Sequence, residues 1–497
     1  MESNNLKQIM EERLKKLQKL REIGLDPFLI TKFEKKESIE DIKKRYENIK
    51  VDEKLENEKI STAGRIIRIR KHGKACFVDL FDGSKIQLWF DISTLKEKYE
   101  IFIDLVDIGD IIGIKGFPFK TKKGELTIWV IDFHILAKSL RPLPSKWYGL
   151  KDEDLRYRMR YVDLIVNPKA RETLLTRAKI IRAMRDFLES KGFVEIETPI
   201  LQPIYGGAFA KPFITHHNAL DIDLYLRISD ELYLKRLIVS GIEKVYEIGR
   251  DFRNEGIDTK HNPEFTMMEC YWAYADYNDI MKLTEEMIVY IAEKALGKLE
   301  IEYGKNKINL RAPWKRIRML DAIKMEGIDV KNLKREELIE IAKERNLEVN
   351  EGFSKGDLIN LFFEELVQPK LIQPTFVIDY PIEISPLAKR KKDDPNFVER
   401  FEGFIAGMEI ANAFSELNDP IEQKERFIEQ TKRRKEGLEF HEYDEDFIRA
   451  LEYGMPPTGG LGIGIDRLTM ILTNTTSIRE VIAFPTLRPE NTKIRII

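Results

Sequence analysis

The sequence predicts an α+β protein in two parts, a small five-stranded β-barrel followed by a larger domain of mixed strands and helices. Three observations support this prediction. Five short strand-like runs follow one another within residues 59–139, a proline-containing stretch comes next, and helical runs then alternate with strands. The chain has 497 residues, enough for two or three domains with a large buried core.

The composition argues against several classes of protein. Charged residues make up 34% of the chain, yet the net charge is only −2, so any nucleic-acid surface must be local. The two cysteines, Cys76 and Cys270, are far apart, which disfavours a disulfide framework or a structural zinc. No apolar run approaches the roughly 18 residues of a membrane span, and the N-terminus does not resemble a signal peptide. We therefore expect a soluble, cytoplasmic protein.

Residues 1–58 are predicted to form a highly charged helical extension. Leu14, Leu17 and Leu20 fall at helical spacing, which favours a solvated helix that packs one stripe on its neighbour. Contact between its basic residues and a phosphate backbone is the alternative.

Residues 59–139 contain the five strand-like runs ISTAGRIIRIR, KACFVDLFDG, SKIQLWFD, DIIGIKGFPFK and GELTIWVIDFHIL. Glycine-containing turns separate several of them. Five such strands predict an OB-type barrel, a closed Greek-key barrel of the kind that binds oligonucleotides. A linker is predicted at 140–160, where LRPLPSKWYG carries two prolines without periodicity.

Residues 161–497 are predicted to form the larger α+β domain. A helix over ARETLLTRAKIIRAMRDFLESKG leads into the strand FVEIETPIL, and a second helix starts at Asp230. Residues 315–370 are predicted to be a helical insertion that contains WKRIRMLDAIK, REELIEIAKER and KGDLINLFFEEL. The strand TFVIDYPIEI and a charged helix over 421–437 follow it.

The segment RDFRNEGIDTKHNPEFTMMECYWAYADY is the most informative part of the chain. It reads as two strands joined by a loop, and side chains on a strand alternate between its faces. Arg253 and Glu255 then point the same way, and Phe265, Glu269 and Tyr271 share one face of the second strand. If the strands pair, one surface offers a cation, a flat ring and a carboxylate, as a site for a nucleotide and a small cationic ligand requires.

Two residues of this segment have an ordinary structural explanation as well. A lone aromatic such as Phe265 usually belongs to a core, but its polar neighbours favour stacking with a base, worth roughly 1–3 kcal/mol. His261 is a candidate phosphate donor or a residue that closes the loop.

Glu402, Glu409 and Glu416 recur at a spacing of seven within FEGFIAGMEIANAFSELND. On one helix they would form a solvated stripe, but the interrupting glycines and the apolar residues between them favour buried strands. A strand would place Glu409 and Glu416 on opposite faces unless a bulge intervenes. Buried carboxylates need a partner or a cation, and magnesium commonly takes one or two carboxylates plus phosphate oxygens.

The segment GGLGIGIDRLTMILTN is predicted to be a buried glycine-rich strand that runs into a helix at Asp466. Arg467 falls in the first turn of that helix, where the helix dipole disfavours a cation. A polyphosphate would supply the missing partner, and a salt bridge to a carboxylate is the alternative. The phosphate-binding pattern GxxxxGK[ST] does not occur in the chain.

Three blocks of the larger domain resemble the motifs of class II aminoacyl-tRNA synthetases. Motif 1 would cover about 170–201 and end in GFVEIETPIL, motif 2 about 247–272 with FRNEGIDTKHNPEF, and motif 3 about 459–474 with GLGIGIDR. Within that class the chain is similar to the lysyl-tRNA synthetases from about residue 5 onward. The similar segments are GGAFAKPFITHHNALDIDLYLRISDELYLKRL, EFTMMECYWAYADY, EIANAFSELNDP and GMPPTGGLGIGIDR.

The resemblance implies an anticodon-binding barrel and a class II catalytic domain whose mostly antiparallel sheet is flanked by helices. It also implies an activity: L-lysine reacts with ATP to give lysyl-adenylate and pyrophosphate, and the lysine passes to the 3′-terminal ribose of tRNA(Lys). The implied cofactor is Mg²⁺, two or three ions per active site bound mostly through ATP. The implied assembly is a homodimer through motif 1.

The resemblance also implies the site residues. Catalytic residues would be Arg253, Arg467, Glu402 and Glu409, of which Glu402 and Glu409 would hold the metal. ATP would be bound by Arg253, Glu255, Lys260, His261, Asn262, Phe265, Glu402, Glu409 and Arg467. Lysine would be bound by Gly207, Glu231, Arg253, Glu269, Tyr271, Asn412, Phe414 and Glu416. The central anticodon base would be read by Arg70, Phe77, Gln87 and Glu125.

Lys260 departs from the resemblance, because many members of the class carry arginine there and lysine lacks the bidentate guanidinium fork. Three other interpretations stay open. An aspartyl or asparaginyl relative would need a cationic or neutral pocket, whereas this one carries Glu269 and Glu416. An enzyme that lysylates a protein would lack the barrel, and a non-catalytic relative would lack part of the phosphate-binding set.

Overall fold

The computed structural model describes residues 2–144, 150, 152–435 and 443–489. Parts of two predicted elements, the linker LRPLPSKWYG and the end of the helix at 421–437, lie outside these residues. The chain divides into two compact units, Met1–Leu150 and Lys151–Ile497. Every helix in the described ranges is too short or too polar to cross a bilayer.

The first unit contains a closed five-stranded barrel, as predicted. Its strands are β1 (Ile60–His72), β2 (Ala75–Phe81), β3 (Lys85–Asp91), β4 (Ile111–Lys120) and β5 (Leu126–Ala137). They close in the order β1-β2-β3-β5-β4, with β3 and β5 parallel and the other neighbours antiparallel. Val78, Leu88 and Ile128 fill the interior, so the residues that alternate with them face outward.

Four α-helices accompany the barrel: α1 (Glu2–Glu22), α2 (Ile39–Arg45), α3 (Ile92–Leu95) and α4 (Glu97–Leu105). The predicted helical extension over 1–58 is therefore only partly helical, because 23–38 and 46–59 contain no α-helix. Leu17 and Leu20 of α1 are buried, whereas Leu14 is exposed. The buried guanidinium of Arg13 fixes α1 by donating hydrogen bonds to the carbonyls of Ser139, Ile108 and Arg141.

The second unit is built on an eight-stranded sheet. Its strands are β6 (Val194–Glu195), β10 (Lys244–Phe252), β11 (Glu264–Ala273), β14 (Lys315–Arg318), β15 (Thr375–Pro381), β16 (Phe397–Ile405), β17 (Met408–Ser415) and β18 (Thr458–Gly464). The remaining strands, β7 (Leu201–Gln202), β8 (Ile214–His217), β9 (Ile222–Leu226), β12 (Glu300–Tyr303) and β13 (Asn306–Asn309), form two smaller sheets.

The large sheet has the order β14-β15-β16-β17-β18-β11-β10-β6. Its two outermost pairs are parallel and its other pairs antiparallel. The predicted α+β class with a mostly antiparallel sheet is confirmed. The helices of this unit are α5 (Glu153–Arg158), α6 (Arg160–Val166), α7 (Pro168–Ser190), α8 (Glu231–Val239), α9 (Tyr277–Leu296), α10 (Met319–Lys324), α11 (Arg335–Glu344), α12 (Lys355–Phe362), α13 (Pro420–Lys435), α14 (Glu445–Glu452), α15 (Ile465–Leu472) and α16 (Ile478–Val481).

The two faces of the large sheet have different roles. Met268 and Cys270 of β11 join the largest apolar core with residues of α7 and α9 such as Met184 and Met287. Because side chains alternate along a strand, Glu269 and Tyr271 point to the opposite face. One face is therefore occupied by the core and the other is available for a site.

The predicted helix over WKRIRMLDAIK is wrong at its start. Residues Lys315–Arg318 form β14, which pairs with β15 in parallel, and the helices of the insertion begin only at Met319. Pairing with an existing sheet edge outweighs the weak local preference for a helix. The predicted linker also ends early, because α5 starts at Glu153.

Candidate active site

A cavity of about 470 Å³ lies on the free face of the eight-stranded sheet. Its lining includes every residue that the sequence analysis assigned to ATP, lysine or magnesium. The lining residues come from the segments 207–209 and 384–388, from the loop after β10, from β11, β16, β17 and β18 or next to them, and from the starts of α8, α15 and α16. The fold thus brings together predicted residues that are up to 260 positions apart in the sequence, from Gly207 to Arg467.

Glycines of β18 form the floor of this cavity. Gly460 pairs with Tyr271 on one side and Phe414 on the other, and Gly462 pairs with Glu269 and Asn412. A Cβ on Gly460 would overlap the carboxylate of Glu416 and come within 2.6 Å of the ring of Tyr271. The cavity therefore depends on the lack of side chains along the strand between its two walls.

The β10–β11 hairpin supplies the first wall. The predicted placement of Arg253 and Glu255 on its first strand is wrong, because β10 ends at Phe252 and both residues follow it. Phe265, Glu269 and Tyr271 line the cavity, and so does Met267, which the sequence analysis did not single out although it has the same period of two. Arg253 directly follows β10, and its guanidinium carbon lies 5.0 Å from the centre of the Phe265 ring. A cation and an aromatic ring are therefore adjacent at one end of the cavity.

The loop between these strands is closed by Asp258. Its carboxylate accepts hydrogen bonds from the backbone N–H groups of Lys260 and His261, at 2.6 and 2.7 Å, and contacts Nδ1 of His261 at 2.8 Å. Nε2 of His261 lies 3.2 Å from the guanidinium of Arg467. His261 thus closes the loop and also reaches the cavity. The side chain of Asn262 is buried and donates to the carbonyl of Glu264.

The second wall of the cavity is formed by β16 and β17, and it shows how the three spaced glutamates are arranged. They lie on or next to strands, not on a helix. β17 contains one extra residue between the pairs Glu409–Phe404 and Ala411–Gly403. This bulge turns Glu409 to the same side as Asn412 and Glu416, and all three line the cavity.

Arg400 is a lining residue that the sequence analysis missed. Its guanidinium donates to Glu402 at 2.7 Å and to the amide oxygen of Asn412 at 3.2 Å. The signal was available, because Arg400 precedes Glu402 by two residues on the same strand and must share its face. Arg467 makes a comparable contact with Glu409 at 3.2 Å, so the salt bridge considered as an alternative for Arg467 is present.

Glu402 and Glu409 have the chemistry of a divalent-cation site. Burial, and then the negative charge of Glu409, raise the pKa of Glu402 to about 7, whereas Arg400 lowers it. A divalent cation would relieve this repulsion, and Mg²⁺ prefers carboxylate oxygens. Among the described residues, no group of three or more acidic, histidine or cysteine side chains could hold a metal. Mg²⁺ commonly takes one or two carboxylates together with phosphate oxygens and water.

The opposite end of the cavity is acidic. Both oxygens of Glu269 accept hydrogen bonds from hydroxyl groups, those of Ser229 and Tyr271, each at 2.9 Å. Burial raises the pKa of Glu269 to about 8, and the nearby Asp251 and Glu231 add to the shift. Glu231 and Glu416 are also buried, and both form salt bridges with the ammonium of Lys235.

Gly207 completes this acidic end. It has a φ of +87°, and a Cβ there would meet the hydroxyl of Ser229 at 2.7 Å and the Cβ of Glu231 at 3.2 Å. A side chain at this position would be strained and would also displace its neighbours. Close in the chain to Ser229 and Glu231, the buried guanidinium of Arg227 contacts Asp230 at 2.9 Å and Glu247 at 2.7 Å. Nothing in the sequence pattern indicated this cluster.

The residues predicted to read the anticodon lie on the outer side of the barrel. Arg70 pairs with Phe77 across β1 and β2, and its guanidinium carbon lies 5.6 Å from the centre of that ring. Gln87 is on the adjacent β3, and Glu125 directly precedes β5. Phe77 also packs against Trp89, with ring centres 4.5 Å apart. Three of the four predicted residues therefore lie on neighbouring strands.

Comparison with known protein families agrees with the two kinds of domain predicted from the sequence. Residues 152–488 match the family described as "tRNA synthetases class II (D, K and N)". Residues 60–143 match the family described as "OB-fold nucleic acid binding domain".

Several curated proteins are similar over nearly the whole chain, and each carries the name lysine–tRNA ligase. The protein from Thermoanaerobacter pseudethanolicus is 58% identical over 98% of both chains. The one from Carboxydothermus hydrogenoformans is 56% identical over 99% of this chain and 100% of its own. The one from Clostridium tetani is 55% identical over 98% and 97%.

Replacement of Gly460 by alanine tests the cavity floor. Because the new methyl group would collide with the buried Glu416 and Tyr271, we expect Gly460→Ala to lower the free energy of unfolding by about 1–3 kcal/mol. Gly464→Ala is the matched control on the same strand, since its Cβ would meet nothing within 4 Å, and it should cost less than about 1 kcal/mol. Denaturant unfolding of both variants measures the difference, and equal shifts would contradict this account of the floor.

Proposed function

The chain belongs to the lysine–tRNA ligases of the class II aminoacyl-tRNA synthetase family, and on this premise we propose that its cavity binds ATP and L-lysine side by side. The enzyme joins L-lysine to ATP, giving lysyl-adenylate and pyrophosphate, and transfers the lysine to the 3′-terminal ribose of tRNA(Lys), giving AMP. The observation that carries the assignment of the two sites is that the lining residues form two groups by their contacts. One contains Arg253 with Phe265 and Arg467 with Glu409, and the other, the acidic end, contains Glu269 with Tyr271 and the pair Glu231 and Glu416 around Lys235.

We assign ATP to the end that holds Arg253, Phe265 and Arg467. The adenine would stack on Phe265 and contact Glu255, and the α-phosphate would pair with Arg253. Arg467 would take the γ-phosphate through charge-assisted hydrogen bonds. In the structure Arg467 contacts Glu409 and His261, so phosphate binding would exchange these contacts. Lys260, His261 and Asn262 would contribute from the loop after β10.

We assign Mg²⁺ to Glu402 and Glu409, two neighbouring carboxylates whose mutual repulsion a divalent cation would relieve. Bound there through ATP, the metal would neutralise charge on the phosphates. Arg400 would support the site by fixing the orientation of Glu402. Two or three Mg²⁺ ions would be held here, mostly through the phosphates of ATP.

We assign L-lysine to the acidic end. Its side-chain ammonium would lie between Glu269, Tyr271 and Glu416, and its α-ammonium would be held by Glu231 beside Gly207. Asn412, oriented by Arg400, and Arg253 would hold the carboxylate, and Phe414 would contribute apolar contact.

The activation step suits this arrangement. The carboxylate of lysine attacks the α-phosphate, and the main obstacle is the repulsion between two anions. Arg253 would sit between them and neutralise both, while the acidic end fixes the position of the other end of the amino acid. Catalysis would thus come from positioning and charge stabilisation, and this step requires no strong general base.

The barrel is proposed to bind the anticodon of tRNA(Lys). Arg70 and Phe77 form a cation–aromatic pair on neighbouring strands, a combination suited to stacking and phosphate contact with single-stranded RNA. Gln87 and Glu125 would provide hydrogen bonds to a base edge.

We also propose a homodimer formed through the motif 1 region, in the cytoplasm, the compartment of protein synthesis. Apolar side chains that are at least 38% exposed cluster in the sequence between residues 175 and 222. They are Leu175, Val194, Ile200, Leu201, Ile204, Ile214, Leu220 and Ile222. Exposed apolar side chains in such numbers favour burial against a second copy.

The lysine assignment is tested by pyrophosphate exchange with a panel of amino acids and by charging of tRNA(Lys) transcripts. We expect lysine to exceed aspartate, asparagine and methionine by on the order of 100-fold or more, because a neutral or anionic side chain leaves buried carboxylates unpaired. Exchange driven by aspartate or asparagine would favour the alternative relatives. Exchange without tRNA charging would favour lysylation of another acceptor, and no exchange would favour a non-catalytic protein.

Lysine binding should depend on pH through Glu269. With its pKa raised to about 8, Glu269 is mostly protonated at pH 6.5 and mostly ionised at pH 8.5. The lysine ammonium needs the ionised form, so the dissociation constant for lysine should fall on the order of 10-fold over this range. Calorimetry in buffers of different ionisation enthalpy would detect the released proton. Glu269→Gln should bind lysine more weakly with a smaller pH dependence, and an unchanged pH dependence would contradict the assignment.

The anticodon role of the barrel is tested with Phe77→Ala. Loss of one stacking contact of roughly 1–3 kcal/mol should lower kcat/KM for tRNA by about 5- to 150-fold while lysine-dependent pyrophosphate exchange is kept. Ile131→Ala is the control, since Ile131 is exposed on β5 of the same barrel and outside the predicted set. Equal loss of exchange and tRNA charging in Phe77→Ala would argue against a barrel dedicated to the anticodon.

A further inference from the structure

Lys235 is a fully buried lysine that does not line the cavity. It lies on α8, four residues after Glu231, and its ammonium forms salt bridges with both Glu231 and Glu416. These are two of the carboxylates that the proposed function assigns to the substrate. An ammonium that belongs to the protein is thus already bound to the acids that would bind the ammonium groups of lysine.

Aromatic rings surround this ammonium. Nζ lies 5.4 Å from the ring centre of Phe414, 5.8 Å from that of Phe447 and 5.9 Å from that of Tyr271. Burial alone would lower the pKa of Lys235, but Glu231 and Glu416 outweigh it and raise the pKa. Lys235 is therefore charged at neutral pH, in a cage that stabilises a cation.

The charges at the acidic end can be counted. Glu231, Glu269 and Glu416 contribute three carboxylates, and Lys235 supplies one ammonium. When all three acids are ionised, as lysine binding requires, two negative charges remain, and a lysine molecule at neutral pH carries two ammonium groups. With Lys235 present, this end of the cavity matches the two cations of one substrate molecule; without it, one acid would lack a partner.

We propose that Lys235 is a positioning residue that sets the specificity for lysine, because it neutralises one of the three acids and holds Glu231 and Glu416 at the places where they meet the substrate. This proposal rests on the assignment of lysine to the acidic end. Tyr271 and Phe414 connect Lys235 to the cavity, since each ring contacts Lys235 and also lines the cavity.

A purely structural role is the competing explanation, and the neighbouring Arg236 provides the comparison. Arg236 lies on the same helix and pairs with Asp444 at 2.7 Å, but neither residue lines the cavity. Loss of either cation should affect folding stability, whereas only loss of Lys235 should change how lysine is bound.

The test compares Lys235→Met and Arg236→Met in the full-length enzyme by lysine-dependent pyrophosphate exchange. We expect Lys235→Met to raise KM for lysine by about 10-fold or more, with KM for ATP changed by less than about 3-fold, because an acid at the lysine end is left unpaired. Arg236→Met should lower the melting temperature without a selective change in KM for lysine. An unchanged KM for lysine in a folded Lys235→Met enzyme, or equal losses for lysine and ATP, would overturn the proposal.

Chemical rescue provides a second test that does not depend on Lys235→Met folding well. Lys235→Ala leaves a cavity where the ammonium was, and added methylammonium should fill it and lower KM for lysine several-fold. The bulkier tetramethylammonium should not do so, and wild-type enzyme should respond to neither. Absence of rescue in an enzyme that still binds ATP would count against the proposal. A wild-type enzyme without lysine-dependent exchange would instead refute the proposed function itself.

Discussion

The candidate active site depends on burying more acidic than basic groups on one face of a sheet. Glu231, Glu269 and Glu416 are taken out of water at one end of the cavity, with Lys235 as their internal cation. Burial raises the pKa of each of these acids. Ionising these acids is costly while the site is empty and becomes easier when cationic groups bind beside them.

At the other end of the cavity, acidic side chains are paired with arginines. Glu402 and Glu409 are balanced by Arg400 and Arg467, so a triphosphate with Mg²⁺ bound as proposed would exchange partners with groups that are already paired. Arg400 connects the two ends, because it contacts both Glu402 and Asn412. In the proposed arrangement Arg400 would couple the two substrate sites, because charge pairs that form one network are rarely independent of each other.

Much of the fold and of the candidate site could be predicted from the sequence, because the strands are short and their side chains alternate. The barrel strands and the cavity face of β11 follow from a period of two. The bulge in β17 could not be predicted, because it depends on how β16 and β17 pair, and the same holds for the strand at Lys315–Arg318. Lys235 was missed because a buried lysine has no sequence pattern of its own; only its spacing of four from Glu231 was visible.

The glycines of β18 explain why the cavity lies where it does. A central strand would normally fill the space above it with side chains, yet Gly460 and Gly462 leave that space open between Tyr271 and Phe414 and between Glu269 and Asn412. The carboxylate of Glu416 occupies the position that a Cβ on Gly460 would need. The glycine-rich segment is thus not primarily a flexible element or a phosphate loop. It allows acidic and aromatic side chains of two flanking strands to meet over the backbone, which is the physical condition for a buried, charged binding site on a sheet.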